Sequence, residues 1–289
     1  MKLKFLAAAV LGLCLVVAAA LLVTHGPASG PTVQPVVAGP AAPPTIWPDY
    51  RGDGFGFPTP ATADGELVAH GYRLITRTFA FIGPEVTDPS KRYAGNNLAC
   101  TNCHLDAGTN RAALPLVGVL RTYPKHSERS GREISLAQRI DECMTRSMNG
   151  RALPTESREM QSFLAYLRFI GQPQATPPPP QPAAPPFPPD VTRGAAVYER
   201  VCATCHRRDG LGTRWGAAAD ARGYRFPPVW GPDSFNSGAG MDRFDRSVGF
   251  IRHNMPRGVD PEHPQLTLQD AWDVAAMLQN QPRPLYTVR

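Results

Sequence analysis

The pattern Cys-x-x-Cys-His occurs twice, as Cys100-Thr101-Asn102-Cys103-His104 and as Cys202-Ala203-Thr204-Cys205-His206. Two thiols about one helical turn apart can add to the two vinyl groups of a haem, and the adjacent histidine then ligates the iron from the proximal side. Zinc would need further ligands at matched spacing, and a thiol-redox pair would need a βαβ setting. Neither accompanies these motifs. Two complete copies predict two covalently attached haem c groups, with His104 and His206 as iron ligands.

Each iron has a second axial position. Downstream of the second motif the best placed donor is Met255 in IRHNMPRG, a Met-Pro at the end of a helical stretch. Met241 and His253 compete with it, and a buried methionine is also ordinary core packing. A Met/His pair raises the potential, which suits an electron acceptor or exit haem. Downstream of the first motif no methionine is as clearly placed. The helical stretch AQRIDECMTRSMNG carries Met144 and Met148, but also a cysteine with no partner, Cys143. On a 3.6-residue period Leu136, Ile140, Cys143 and Ser147 share one face. Two roles stay open for Cys143, an iron ligand or a small buried apolar residue, and His126 is its main rival as ligand.

The surroundings of Cys143 are basic. Arg139 lies one turn before it and Arg146 just after it, and KHSERSGRE upstream adds Lys125, Arg129 and Arg132. Positive neighbours favour the thiolate, the form that binds iron. Planar guanidiniums also match small oxyanions bidentately. Arg132 and Arg146 are read as solvated positions.

These groups must be positioned by helices. A helical pattern covers 65–83 (GELVAHGYRLITRTFAFIG), and two more cover 135–150 and 155–170, opening on Ser135 and Thr155 as caps. Residues 172–190, QPQATPPPPQPAAPPFPPD, hold too many prolines for a helix or a central strand and form an extended linker. The order then repeats. DVTRGAAVYERV is a helix capped by Asp190, the second motif follows, a helix spans DRFDRSVGFIRHNM, and 266–280 closes the chain. Strand signal is slight. The fold class is therefore all-α, with units at 61–171 and 191–289 joined by a proline-rich linker at 172–190.

The N-terminus, MKLKFLAAAVLGLCLVVAAALLV, sets two lysines before an uninterrupted apolar run, the pattern of an export signal or a membrane anchor within residues 1–30. Ala28-Ser29-Gly30 is a plausible cleavage site. Leu13 makes Cys14 a poor lipidation site, and no twin arginine is present. Residues 31–60 are rich in Pro, Gly and Ala and read as a flexible leader. The expected location is periplasmic, membrane-anchored if the signal is uncleaved. Loss of 1–30 lowers the formal charge from +6 to +4, because Lys2 and Lys4 go and no acid does. A mildly basic exported protein leans toward anionic substrates or acidic partners. No basic stripe interleaved with aromatics points to nucleic acid.

NNLACTNCHLDAG, ALPLVG, RTYPKHSER and SLAQRIDECMTRSMNGRALP, followed by the proline linker, the second motif, FPPVWGPDSFNSGAGM and FIRHNMP, resemble the thiosulfate dehydrogenase family. The resemblance covers essentially the whole mature chain, and the cysteine helix with its SMNG ending is its most specific part. It implies two class I-like cytochrome c domains and a periplasmic enzyme that joins two thiosulfates into tetrathionate. It further implies His104 and Cys143 on the first haem and His206 with Met255 on the second. Near Met255, where some members carry a lysine ligand, this chain has Arg252 and His253, which speaks against lysine ligation. Active-site roles carry over to Arg129, Arg139 and Ser147. Electrons would leave to a soluble or membrane-bound cytochrome or another periplasmic acceptor. Four other readings stay open: the same site working as a tetrathionate reductase, a cytochrome linked to a sulfur-carrier protein, a plain dihaem electron carrier, and a dihaem peroxidase.

Overall fold

The computed structural model describes residues 61, 63–171, 178–220 and 222–287. The expected signal or anchor at 1–30, the leader at 31–60 and the linker residues 172–177 lie outside the described residues. Among those described, no helix is long and apolar enough to cross a membrane.

In the first half, helix α1 (Gly65–Thr76) crosses helix α4 (Arg158–Phe169). Gly71 sits at the crossing, where a Cβ would stand 2.1 Å from the carbonyl oxygen of Ser162, so only glycine allows the approach. Val68, Tyr72, Met160, Phe163 and Tyr166 pack around it and are buried. The expected helix 65–83 is broken. Arg77 leaves helical geometry at φ −143°, ψ 43°, and a short helix α2 (Thr78–Ile82) follows. Thr76 and Thr78 flank the break, their hydroxyls donating back to the carbonyls of Tyr72 (2.8 Å) and Leu74 (2.6 Å). Thr78 Oγ1 also accepts from the Cys100 N–H at 3.1 Å, which ties the break to the first motif.

Helix α3 (Leu136–Arg146) carries Cys143. Ser135 caps it as expected, with its hydroxyl accepting from the Gln138 N–H and the Gln138 side chain accepting from the Ser135 N–H. The next cap differs. Ser157, not Thr155, accepts from the Met160 N–H, because the Ser157 N–H closes a turn onto Pro154 and leaves Thr155 outside the helix.

The second half repeats the crossing. Helix α5 (Val191–Val197) lies on helix α8 (Leu268–Gln279), with Gly194 2.1 Å, by its added Cβ, from the Asp273 carbonyl. Asp190 caps α5, accepting from the Arg193 N–H at 2.7 Å. A π-helical turn (Tyr198–Cys202) and a short helix α6 (Ala203–His206) carry the second motif, and helix α7 (Phe244–Asn254) ends at Met255. The described part of the proline segment runs along this half: the Trp272 indole donates to the Ala183 carbonyl and the Phe187 N–H to Gln269 Oε1.

Two small antiparallel hairpins add to the helices: strands β1 (Lys125–Ser127) with β2 (Arg132–Ile134), and β3 (Thr213–Arg214) with β4 (Tyr224–Phe226). The fold is otherwise helical, two cytochrome c-like helical units as expected. The units are bound to each other. Asp233 Oδ1 accepts from the Asn97 N–H (2.9 Å), while its Oδ2 accepts from Arg214 (2.8 Å) and the Tyr224 hydroxyl (2.7 Å). Asn254 donates to the Ala112 carbonyl, and Leu105 and Ala113 pack with Phe250, Met241 and Met255.

Candidate active site at the cysteine helix

The donor sets at both motifs fit haem c. The described cysteines are all free thiols. His104 Nδ1–H donates to the Leu114 carbonyl at 2.5 Å and His206 Nδ1–H to the Pro227 carbonyl at 2.8 Å. That leaves Nε2 of each ring as its lone-pair donor, the arrangement a metal-bound histidine needs. Burial pushes the Cys100 thiol up to about 11, the Cys103 thiol up to about 12 and the Cys202 thiol up to about 11. With Cys205 they form the two thiol pairs of the motifs. No group of three or more His, Cys, Asp or Glu among the described residues would hold a bare metal ion.

Cys143 does not lie in the middle of the buried stripe of α3. Met144 and Met148 are buried in the first core with Leu136, so the stripe runs 136, 140, 144, 148. Cys143 is half-buried on the adjoining face, where Arg139, Cys143 and Arg146 follow at i, i+4 and i+7. The face looks onto the first motif, since a negative charge on Cys143 adds to the rise of both Cys100 and Cys103. It also looks onto Arg139, whose pKa is raised chiefly by that same charge, against burial.

Arg139 donates to Glu142 Oε2 at 2.9 Å, and Glu142 Oε1 accepts from the Ser127 hydroxyl at 3.4 Å. Thus the β1–β2 hairpin braces the cysteine helix through one carboxylate. Arg129, on the hairpin, donates to the Gly238 carbonyl of the second unit at 3.0 Å. Its pKa is lowered by burial and by the charges of Arg139, Arg146 and Arg246. Arg246, on α7, is likewise held low by burial, Arg243 and Arg139, and is supported by Asp245 and Cys143. Like charges gathered in a half-buried space form a site for an anion. The gathering draws on both units of the chain.

Ser147 closes α3 with its N–H on the Cys143 carbonyl, and its own carbonyl accepts from Asn96 at 3.0 Å. His126 is exposed on β1, paired across the hairpin with Glu133; Lys125 is exposed beside it, with its ammonium over the Tyr123 ring. Arg132 is exposed, as expected. Arg146 is not. It is half-buried, its guanidinium lies 4.4 Å over the Tyr286 ring, and its Nε is buried with no protein partner. Its helix position reads as solvated only when the second unit, which covers it, is ignored. Tyr123, Glu142, Arg246 and Tyr286 escaped sequence reasoning. Glu142 had a signal, its i+3 spacing from Arg139; Arg246 and Tyr286 arrive from more than a hundred residues away.

Among the donors expected for the second iron, Met255 ends α7 and, with Met241, packs against Leu105 and Ala113 of the first unit. His253 Nδ1–H donates to the Pro261 carbonyl at 3.0 Å and its Nε2 is buried without a partner, so its ring keeps a lone-pair donor as those of His104 and His206 do. Arg252 is half-buried.

Comparison with known proteins bears on the two domains and the family. Residues 90–172 match the family model described as SoxA/TsdA, cytochrome c domain, and residues 189–278 match that of cytochrome c oxidase, cbb3-type, subunit III. A thiosulfate dehydrogenase of Allochromatium vinosum is 40% identical over 238 residues, 78% of this chain and 82% of the relative. One of Stutzerimonas stutzeri is 36% identical over 234 residues, covering 78% of this chain and 70% of the relative. Among solved structures, a thiosulfate dehydrogenase (TsdBA) of Marichromatium purpuratum in its as-isolated form matches with a TM-score of 0.64 and 34% identity over 76% of this chain. This chain spans 46% of that larger one. Two cytochrome c domains, a cysteine helix set against the first haem motif, and relatives of this similarity along most of their length give one conclusion: the chain belongs to the thiosulfate dehydrogenase family of oxidoreductases.

Proposed function

We propose that the protein carries two covalently attached haem c groups and oxidises two thiosulfates to one tetrathionate, with Cys143 as the reactive centre. The observation that carries this is the stripe Arg139–Cys143–Arg146 facing the first haem motif, in a half-buried space lined by guanidiniums from both units. His104 and Cys143 would hold the first iron, and His206 and Met255 the second. When bound, the haems supply the two one-electron acceptors that the coupling of two thiosulfates requires.

The residues of the chain do the rest. Cys143 sulfur bonds to the outer sulfur of the first thiosulfate, and two electrons leave. The second thiosulfate attacks that outer sulfur, tetrathionate departs, and Cys143 is regenerated as thiolate. No proton transfer is needed. Arg129 and Arg139 offset the repulsion between two dianions and the thiolate, which would otherwise oppose their meeting. Glu142 keeps the Arg139 guanidinium beside Cys143, and Ser147 ends the helix one turn beyond it. The balance of haem potentials and partners sets the direction, so tetrathionate reduction is the same chemistry run backward. The N-terminal signal pattern supports export to the periplasm, and electrons then pass to a cytochrome or another acceptor there. Incubation of the holo-protein with tetrathionate followed by mass analysis of the Cys143 peptide tests the role of that residue. A thiosulfonate adduct on Cys143 is expected; a modification elsewhere, or none while turnover proceeds, contradicts it.

A further inference from the structure

Coupling two thiosulfates calls for two oxyanion subsites, and a single stripe on one helix faces the first. From the seam between the units we infer a second subsite for the incoming sulfonate, built on Arg146 and Arg129 and completed by the C-terminal tail through Tyr286. This rests on the function proposed above and deepens it.

The geometry converges on Gly238. Arg129 donates to its carbonyl at 3.0 Å. Its Cα abuts the Tyr286 ring, a Cβ there standing 2.6 Å from the ring's Cγ. The face of that ring carries the Arg146 guanidinium at 4.4 Å. Thus a guanidinium from the hairpin and one from α3 flank a single point on the second unit. The tail is pinned there: the Tyr286 N–H donates to Ser237 Oγ at 2.9 Å, and the Ser237 N–H to the Pro284 carbonyl at 3.0 Å. The same strand of chain is tied to α3, since Asn236 donates to the Thr145 carbonyl at 2.9 Å.

Arg146 has the chemistry of a ligand-holding group. It shares the helix face of Cys143, one turn further on. Stacking on an aromatic ring holds a guanidinium plane without using its donors. Its buried Nε–H lacks a protein partner, and a buried donor without a partner is costly. Among the described residues none accepts from its terminal N–H groups, and these are the donors that a sulfonate oxygen meets. Tyr286 is a positioning residue: it fixes the plane of Arg146. An oxyanion at Arg146 has two sources, a thiosulfate or a haem propionate, and the experiment separates them.

The test uses the full-length holo-protein with an artificial one-electron acceptor, comparing Arg146→Gln, Tyr286→Ala and Tyr286→Phe. Loss of a charge-assisted bond predicts a KM for thiosulfate raised about 10- to 100-fold in Arg146→Gln, with kcat nearly unchanged. Tyr286→Ala raises KM several-fold, and Tyr286→Phe, which keeps the ring, restores it. Sulfate, a dianion that cannot be oxidised, gives a binding arm independent of turnover: calorimetry expects the same weakening in Arg146→Gln. An unchanged KM and unchanged sulfate affinity in Arg146→Gln overturn the subsite. So does an unchanged KM with a shifted potential of the first haem, which assigns Arg146 to a propionate. Sulfate binding that depends on Arg146 in a wild-type protein inert to thiosulfate sinks the proposed function and leaves an oxyanion site at the seam.

Discussion

Removing Asp233 should loosen the two units from each other. Its carboxylate accepts from the Asn97 N–H in front of the first haem motif, and from Arg214 and the Tyr224 hydroxyl on the β3–β4 hairpin beside the second. The Asp233 side chain is 25% exposed and that of Arg214 is 20% exposed, so the pair is neither dry nor fully screened. Charge-assisted bonds are worth about 1.5–3 kcal/mol each, but Arg214 can turn to solvent and the terms do not add. The Asn97 N–H and the half-buried Tyr224 hydroxyl lose a partner outright. We expect Asp233→Ala to cost about 2–4 kcal/mol in total. Near 2–4 °C per kcal/mol for a chain of this size, that lowers Tm by about 4–16 °C. Thermal unfolding of the holo-protein measures the whole, and hydrogen exchange at the Asn97 amide reads the local bond. A Tm within 1 °C of wild type, as an order-of-magnitude threshold, together with an Asn97 amide as protected as before, would refute the reasoning.

The same cluster makes a pH prediction. Burial, then the hydrogen bond to Asp233, raises the Tyr224 pKa above its ordinary value of 10.0. A raised folded-state value gives a contribution fully present below the unfolded pKa and lost as pH rises past it. Stability should fall more steeply above about pH 10 in wild type than in Tyr224→Phe, as read by Tm across pH 8–11. Gly194→Ala forces a methyl group against the Asp273 carbonyl, 2.1 Å away, and should cost about 1–3 kcal/mol or more in unfolding experiments. Met255→Ala should lower the second haem's potential by on the order of 100 mV in a redox titration, within the range axial ligands span, and leave the first haem unmoved. An unchanged second potential would hand the ligand role to Met241 or His253.

Much of this was legible because it is local. The two Cys-x-x-Cys-His motifs, the Ser135 and Asp190 caps and the helices around them rest on interactions within a turn of chain. The break at Arg77 was not, because its cause is tertiary: Thr78 is held by the Cys100 N–H, twenty-two residues away. The hairpin under KHSERSGRE was missed since three-residue strands have no periodicity to detect. At the site, Cys143, Arg139 and Arg129 could be picked out by spacing and charge. Arg146 was misjudged as solvated, and Arg246 and Tyr286 were invisible, for one reason. Each owes its surroundings to the other unit, and no helical period predicts what docks against a face.

The most direct test of the central claim mixes oxidised, purified holo-protein with thiosulfate and follows haem reduction and tetrathionate formation, with Cys143→Ala alongside. Wild type should become reduced and form tetrathionate while the variant, with its haems loaded, does neither. Undiminished turnover in Cys143→Ala, or no response to thiosulfate from a fully loaded wild type, would contradict the account.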